Sequence, residues 1–187
     1  MAILRAGFIG AGPRAQSAHY PIIAEMDRVE LVAMCELDEE RGRQVATEYG
    51  IRHTYHSHRE MLDREKLDLV YCIMNEGQVL EPALDCLGSG CHIMIEKPPG
   101  LNSEQTGQML QAAEEADLWA MVGFQRRFAA VTQEGLRRVG RKGGSTLAIG
   151  TFNKPDAGDT RLTTTLWNDL CHVVDLVRFM AAGEAKE

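Results

Sequence analysis

The feature that most constrains this chain is a glycine-rich turn close to its start. An apolar run over residues 4–9 leads directly into Gly10-Ala11-Gly12-Pro13-Arg14-Ala15, and a helical pattern follows at once. Gly10 suits a tight turn, and Gly12 lets a ligand approach the backbone because it has no Cβ. The free N–H groups and the dipole at the start of the helix favour an anion there. The turn therefore predicts a site for the pyrophosphate of a dinucleotide.

Behind this turn, short apolar strands alternate regularly with helical patterns. The strands are nearly all apolar, as is typical of parallel strands buried on both faces. The alternation predicts an α/β fold with a doubly wound parallel sheet, and it leaves room for one further strand after the second helix. Pro21 is expected to bend or interrupt the first helix. The predicted strands are residues 4–9, 29–35, 67–74, 91–95 and 118–124, and the predicted helices are residues 16–26, 38–49, 79–87 and 102–117.

An acidic residue, Glu36, directly follows the second strand. It lies 24 positions beyond Gly12, where a carboxylate of a dinucleotide-binding fold accepts hydrogen bonds from the ribose hydroxyls of adenosine. Its negative charge also repels a 2′-phosphate, so Glu36 favours NAD over NADP. The alternative is that Glu36 only opens the acidic run Glu36, Asp38, Glu39 and Glu40 as a solvated helix start.

Polar residues follow two later strands, at the edge where α/β sheets bind ligands. Met74 is the last residue of one strand and is followed by Asn75-Glu76-Gly77-Gln78, and Glu96-Lys97-Pro98 follows the next strand. A charged pair at the end of an apolar strand is costly unless it serves a site or forms an ion pair. We therefore expect Lys97 to project toward the same edge as the glycine turn.

Three histidines, His53, His56 and His58, lie close together in the sequence. Their spacing does not place two of them on one helical face, so we predict a surface loop here and no metal site. Ser57 and Glu60 have the spacing of a capping box, which predicts that a helix opens at this point.

Composition and charge argue against several classes of protein. The 187 residues are 44% hydrophobic and 25% charged, with a net charge of −7. This charge argues against a nucleic-acid surface and against binding to anionic membranes. No apolar run reaches the length of a membrane span, and the first residues lack the pattern of a signal peptide. Five scattered cysteines predict reduced core thiols, so we expect a cytoplasmic protein.

Three sequence blocks together resemble one family of enzymes. They are Gly7-Phe8-Ile9-Gly10-Ala11-Gly12, Glu96-Lys97-Pro98 and residues 122–128. In these blocks the chain is similar to the glucose–fructose oxidoreductase, inositol dehydrogenase and rhizopine-catabolism (Gfo/Idh/MocA) family. The resemblance implies a nicotinamide-dependent oxidoreductase, with Lys97 beside the nicotinamide and a substrate hydroxyl, and with a Lys97–Pro98 bond that is often cis. The implied cofactor-binding residues are Gly10, Gly12, Pro13, Arg14, Glu36, Met74, Asn75, Glu96, Lys97 and Gln125.

The resemblance also divides the chain into an NAD-binding Rossmann domain, residues 1–123, and the start of an α+β substrate and oligomerisation domain, residues 124–187. Family members continue into a large sheet, so we expect a truncated second domain and weak or no catalysis by 1–187 alone. The predicted elements of this part are a helix over 128–139, a strand over 145–152, a polar loop over 153–165 and a helix over 166–180.

The helix over 166–180 carries the candidate catalytic residues Asp169 and His172. An apolar stripe includes Leu170, and a polar face comprises Asn168, His172 and Asp175. The family's usual pattern is Asp-x-x-x-His-x-x-Asp, but Asn168 stands where the first carboxylate is expected. Either Asp169 substitutes, or Asn168 orients the substrate and His172 acts without a carboxylate partner. The remaining alternative is a buried, purely structural histidine.

The implied activity is that of an NAD(P)-dependent dehydrogenase acting on CH–OH groups of a sugar, cyclitol or related polyol. His172 would accept the hydroxyl proton, and Lys97 would stabilise charge on the oxygen. The implied substrate-binding residues are Lys97, Asn168 and His172. An NAD-retaining glycosidase of the same family and a non-catalytic NAD-binding regulatory protein remain as alternatives. At full length we expect a homo-oligomer.

Overall fold

The computed structural model describes residues 2–141, 143–144, 147–152 and 169–181. The chain divides into two compact units, Met1–Gly123 and Phe124–Glu187. The first unit contains a β-sheet with its flanking helices, and the described residues of the second unit are helical segments and a short irregular stretch. In the described ranges, no helix has both the length and the apolar character that a membrane crossing requires.

The first unit is built on a six-stranded sheet. The strands are β1 (Leu4–Ile9), β2 (Val29–Cys35), β3 (His53–Tyr55), β4 (Leu69–Cys72), β5 (His92–Ile95) and β6 (Ala120–Val122). They lie in the order β3-β2-β1-β4-β5-β6, and each pairing is parallel. The chain changes direction across the sheet between β1 and β4, which makes this the switch point where such sheets bind ligands. The topology confirms the predicted doubly wound α/β fold.

Three of the helices in the first unit begin where the sequence provides a capping side chain. Asp38, Ser57 and Asn102 each accept a hydrogen bond from the backbone N–H three residues further on, as N-cap side chains do. Gly50 follows the second helix in the left-handed conformation, at φ 66°, which a glycine adopts readily. The helices are α1 (Tyr20–Ala24), α2 (Glu39–Tyr49), α3 (His58–Arg64), α4 (Leu80–Gly88) and α5 (Ser103–Glu115).

The sheet separates two clusters of buried side chains. Phe8 and Ile9, neighbours on β1, belong to different clusters, because successive strand residues point to opposite faces. The cluster of Phe8 also contains Tyr20 from α1, and the other cluster contains most of the cysteines. Their burial confirms the prediction of core thiols. The cysteines in that cluster are Cys35, Cys72, Cys86 and Cys91.

The helix after the glycine turn differs from its prediction. Helical backbone begins at Pro13, three residues earlier than expected, and Ala15–His19 forms a π-helical turn before α1. The N–H of Tyr20 accordingly bonds to the carbonyl oxygen of Ala15, five residues back. Pro21 explains the change, because a proline has no N–H with which to continue an α-helical ladder. The expected interruption therefore lies just before the proline.

The prediction of a surface loop for the three histidines is wrong for His53, whereas the helix predicted from the spacing of Ser57 and Glu60 is observed. His53 lies in β3, an edge strand paired with β2, and His58 begins α3. The His53 ring contacts the carboxylate of Glu65, and Nε2 of His58 lies 2.8 Å from Oδ2 of Asp85. Across the described ranges, no group of three or more His, Cys, Asp or Glu residues is arranged to hold a metal ion.

The second unit contains a 3₁₀ turn, Gln125–Phe128, and the helices α6 (Ala130–Gly140) and α7 (Cys171–Ala181). The helix predicted over 128–139 thus begins two residues later, after the 3₁₀ turn. The helix predicted over 166–180 is observed in the part of it that the structure describes, from residue 169 onward.

The prediction of a strand over 145–152 is wrong for residues 147–152, which form neither a helix nor a hydrogen-bonded strand. Leu147 and Ile149 are 77% and 78% exposed. A strand needs a hydrogen-bonded neighbour, and no described residue pairs with this segment. The loop predicted over 153–165 lies outside the described residues.

Candidate functional site

Gly10 lies where only a residue without a side chain fits. Its φ is 99°, and a Cβ added there would come within 2.3 Å of the carbonyl oxygen of Ile73, just past β4. Its N–H donates to the carbonyl oxygen of Cys35, the last residue of β2, at 2.9 Å. By contrast, no described atom lies within 4 Å of the position of a Cβ on Gly12. The turn is therefore fixed at Gly10 and faces open space at Gly12.

A buried tyrosine holds the glycine turn in place. The hydroxyl of Tyr20 donates to the carbonyl oxygen of Gly10 at 3.3 Å. The Tyr20 ring stacks on Phe8 and on Tyr49, with ring centroids 4.1 Å and 5.3 Å apart. Burial, followed by the negative charge of Glu36, raises the pKa of Tyr20 above its ordinary value. The hydroxyl consequently stays protonated and remains a hydrogen-bond donor to the turn.

Glu36, the residue after β2, is a carboxylate with three hydrogen bonds. Its Oε2 accepts from the N–H of Ala11 at 2.7 Å, and its Oε1 accepts from the N–H of Asp38 at 3.0 Å and from Nη2 of Arg41 at 2.8 Å. Burial acts to raise the pKa of Glu36, but the hydrogen bonds outweigh it, that from Arg41 first, and lower the pKa to about 2. Glu36 is therefore ionised and joins the glycine turn to the start of α2.

Glu96, the residue after β5, is a second carboxylate at the same edge of the sheet. Its Oε1 lies 2.8 Å from both Nε of Arg14 and Nε2 of His19, and its Oε2 accepts from the N–H of Lys97 at 3.2 Å. Burial acts to raise the pKa of Glu96, but His19 and Arg14 outweigh it and lower the pKa to about 2. The bond between Lys97 and Pro98 is cis, as the sequence resemblance implies.

These groups open on one cavity of about 670 Å³. The cavity follows the carboxyl ends of β2, β1, β4 and β5, and so it spans the switch point of the sheet. Nine of the ten residues predicted to bind the cofactor line it, and the tenth, Gln125, lies in the second unit. The nine are Gly10, Gly12, Pro13, Arg14, Glu36, Met74, Asn75, Glu96 and Lys97.

Sequence reasoning missed two of the groups that shape this site. Arg41 lines the cavity and donates a hydrogen bond to Glu36. Its position, five residues after Glu36 and in the first turn of the next helix, could have indicated this contact. His19 contacts Glu96 across 77 residues of sequence, so no local pattern could indicate it. The lining also contains Glu76 and Gln78, from the polar segment that follows the strand predicted over 67–74, and the histidines His56 and His58.

The residues of the cavity fit a dinucleotide. The open space in front of Gly12 leaves room for a pyrophosphate beside the start of a helix. Arg14, whose side chain is 53% exposed, brings a positive charge to the same place. Glu36 is an ionised hydrogen-bond acceptor after β2, where such sheets hold the adenosine ribose.

In the second unit, an ion pair joins the 3₁₀ turn to α7. Nε of Arg127 donates to both carboxylate oxygens of Asp175, at 3.0 Å from Oδ1 and 2.8 Å from Oδ2. The Arg127 guanidinium also lies over the rings of Phe124 and Phe179, at 5.6 Å and 5.3 Å from their centroids. The bond to Asp175 raises the pKa of Arg127. Asp175 is only 8% exposed. Its ion pair with Arg127 therefore neutralises a carboxylate that is buried.

His172 lies one helical turn before Asp175 and is 6% exposed. The ring of Phe124 meets it edge to face, with centroids 6.1 Å apart. The polar face predicted for this helix is therefore its most buried part, whereas Leu170 from the predicted apolar stripe is 37% exposed. Arg127 lowers the cost of burying Asp175, because it compensates the charge of that carboxylate.

The other candidate residues of the second unit are placed as follows. Asp169 is half-buried and lies three residues before His172, in a helical segment that is continuous with α7. Gln125 is exposed and begins the 3₁₀ turn. Asn168 lies outside the described residues.

Comparison with known proteins identifies the class to which this fold and cavity belong. Residues 4–124 match the model of the Gfo/Idh/MocA family, described as an oxidoreductase family with an NAD-binding Rossmann fold. The chain therefore belongs to the Gfo/Idh/MocA family, and the resemblance carried by the three sequence blocks is confirmed.

Individual relatives agree with this assignment. The D-glucoside 3-dehydrogenase of Escherichia coli K12 is 32% identical over 131 residues, which are 70% of this chain and 37% of that protein. The 4-carboxy-2-hydroxymuconate-6-semialdehyde dehydrogenase of a Sphingobium species is 26% identical over 95% of this chain and 59% of that protein. The crystal structure of a dehydrogenase from Chromobacterium violaceum superposes with a TM-score of 0.88 at 25% identity, covering 100% of this chain and 57% of that one. The chain thus spans 37% to 59% of the length of these relatives.

Proposed function

We propose that the protein is an NAD-dependent oxidoreductase that transfers a hydride between a sugar, cyclitol or related polyol and the nicotinamide. Family membership supports the class of reaction. The relative named for a D-glucoside supports the substrate class, although the Sphingobium relative is named for a semialdehyde. When bound, NAD would supply the hydride acceptor, and the protein would supply binding, orientation and proton transfer.

The observation that carries this proposal is the order of groups along the cavity. In the sheet, β2 and β5 lie on opposite sides of the switch point between β1 and β4. Glu36 follows β2 and Lys97 follows β5, with the glycine turn between them at the end of β1. This order fits an extended dinucleotide whose adenosine ribose lies near Glu36, whose pyrophosphate lies at Gly12, and whose nicotinamide lies near Lys97.

The proposed chemistry assigns separate tasks to the chain's own residues. The Lys97 ammonium donates a hydrogen bond to the substrate hydroxyl and stabilises the negative charge that develops on its oxygen. His172 accepts the hydroxyl proton, and Asp169 or Asn168 orients the histidine or the substrate. In this assignment, residues 1–123 hold the cofactor and residues 124–187 belong to the substrate side.

The test is a titration of the complete protein with NAD⁺ and a panel of sugars, cyclitols and polyols, with an aldehyde included for comparison. Net NADH formation with a polyol, followed by absorbance, is the expected result. Release of free sugar from a glycoside without net NADH would instead identify an NAD-retaining glycosidase. Binding of NAD without either reaction would identify a non-catalytic regulatory protein.

Lys97→Ala should lower kcat by a factor of about 10²–10³ while leaving NAD affinity close to that of the wild type, because the ammonium acts on the reacting oxygen. Lys66→Ala is the matched control, since Lys66 is exposed and does not line the cavity. Wild-type turnover by the Lys97 variant would remove Lys97 from the catalytic machinery.

A further inference from the structure

The guanidinium of Arg127 contacts α7 at two residues that are one helical turn apart. Its Nε donates to Oδ1 of Asp175 at 3.0 Å and to Oδ2 at 2.8 Å, and its Nη2 donates to Oδ1 as well. It also lies over the ring of Phe179, with its Cζ 5.3 Å from the ring centroid. Residues four positions apart on a helix lie on the same face. Arg127 therefore fixes both the height of α7 and its rotation about its own axis.

His172 lies on the face of α7 that Arg127 holds. It precedes Asp175 by three positions, and both side chains are buried. The ring of Phe124 meets the His172 ring edge to face, at an angle of 82°, and the same ring lies 5.6 Å from Cζ of Arg127. His172 and Arg127 thus share Phe124 as a neighbour. A displacement of the guanidinium consequently reaches the histidine both through the helix and through this ring.

The buried charge of Asp175 makes this arrangement depend on Arg127. A buried carboxylate that loses its charged partner is strongly destabilised. Without the guanidinium, α7 would lower this cost by turning Asp175 toward water. A rotation of about 20° would displace a ring that lies about 5 Å from the helix axis by roughly 2 Å. A misplacement of about 1 Å is enough to slow a reaction about a hundredfold when it affects a reacting group.

We propose that Arg127 is a positioning residue that acts through Asp175 and keeps the ring of His172 where it accepts the hydroxyl proton of the substrate. Reacting groups need this kind of support, because their geometry has to be held within a fraction of an ångström. The inference rests on the proposed function, since it requires that His172 be the base. It gives the ion pair a task in catalysis beyond the neutralisation of a buried carboxylate.

The first measurement follows the His172 ring itself. The chain contains six histidines, so their ring signals in a ¹H–¹³C NMR spectrum are few, and the signal that His172→Gln lacks is that of His172. Arg127→Gln should shift this signal, because the ring current of Phe124 depends on the distance between the two rings. Arg138→Gln is the matched control and should leave it in place. Arg138 also pairs with a carboxylate of the second unit, that of Glu134, but its side chain is 75% exposed.

The second measurement is kinetic and uses the complete protein with NAD⁺ and the polyol that it oxidises. Arg127→Gln should lower kcat about 10- to 100-fold and change the KM of the polyol and the dissociation constant of NADH less than about threefold, because it misplaces the base and spares the binding contacts. Arg127→Lys keeps the charge but lacks the planar fork, so it should recover part of the lost kcat. Arg138→Gln should retain the wild-type kcat.

Urea unfolding shows which variants are folded, and Arg127→Lys carries the test if Arg127→Gln does not fold. A folded Arg127 variant with the wild-type kcat overturns the inference and leaves the proposed function standing. A lower kcat with an unshifted His172 signal also overturns it, because Arg127 then acts by another route. If His172→Gln turns over as fast as an active wild type, the histidine is not the base and the inference falls with that assignment. If the folded wild type oxidises no member of the panel, the proposed function fails and the inference fails with it.

Discussion

Glu36 and Glu96 are two carboxylates at one edge of the sheet that are held in different ways. Each follows a strand, their side chains are 8% and 10% exposed, and the pKa of each is lowered to about 2. Glu36 takes two of its hydrogen bonds from backbone N–H groups and the third from Arg41, five residues away. Glu96 is held by the side chains of Arg14 and His19, which are 82 and 77 residues away.

This difference determines what each carboxylate connects. The backbone donors of Glu36 follow from the path of the chain, and no substitution of a donor side chain removes them. Glu96 depends on two side chains that come from the helix after the glycine turn, and it also accepts from the N–H of Lys97. It therefore links the glycine turn to the strand end that carries the candidate catalytic lysine.

The largest expected effect is on stability. Glu96→Ala should lower the free energy of unfolding by about 3 kcal/mol, because it removes the common partner of His19 and Arg14 from a buried position. Glu36→Ala should cost about 1.5 kcal/mol, because Arg41 keeps Asp38 as a partner and mainly the N–H of Ala11 is left unsatisfied.

Urea unfolding measures both losses, and Glu40→Ala on the exposed face of α2 serves as the control with little expected change. Equal losses for the Glu36 and Glu96 variants would contradict the distinction between a carboxylate held by backbone groups and one held by side chains.

The same distinction explains how much of the site could be predicted. Glu36 is recognisable because its position depends on local order: a strand ends, a carboxylate follows, and a helix begins. The position of Lys97 is recognisable for the same reason. The partner of Glu96 is not, because His19 reaches it only through the strand order and the π-helical turn before Pro21. Tertiary contacts of this kind leave no periodicity in the sequence.

The pH dependence of stability should report both carboxylates. Their folded-state pKa values of about 2 lie below the ordinary value of 4.5, so each stabilises the folded state above pH 4.5 and loses this contribution as the pH falls through about 2. After allowance for screening by solvent, each should account for about 1 kcal/mol of the stability lost between about pH 5 and pH 2.

Equilibrium unfolding at a series of pH values tests this expectation. Glu36→Gln and Glu96→Gln should each show a shallower fall in stability with acid than the wild type, whereas Glu40→Gln should follow the wild type. A Glu96→Gln profile that parallels the wild-type profile would mean that Arg14 and His19 do not hold the charged form of Glu96.

Two further features of the structure have a common physical cause that the sequence does not reveal. The sequence predicts a strand over 145–152, but a strand forms only where a neighbour completes its hydrogen bonds. The burial of Asp175 on the polar face of α7 depends on Arg127, which comes from the 3₁₀ turn and compensates the charge of that carboxylate. In both cases the local sequence pattern gives no information about the partner.

The smallest expected effect separates the two donors of Glu96. Arg14→Ala should lower the free energy of unfolding by less than about 1 kcal/mol, because its side chain is 53% exposed and His19 continues to hold the same oxygen. It should nevertheless weaken the binding of NADH about fivefold, because a positive charge beside the proposed pyrophosphate site is lost.

His19→Ala should show the reverse, with the larger loss of stability and the smaller loss of affinity for NADH. Urea unfolding and NADH fluorescence on both variants measure the two quantities. If Arg14→Ala instead costs stability and leaves affinity unchanged, Arg14 serves only Glu96, and the carboxylate links the glycine turn to Lys97 without any part in holding the cofactor.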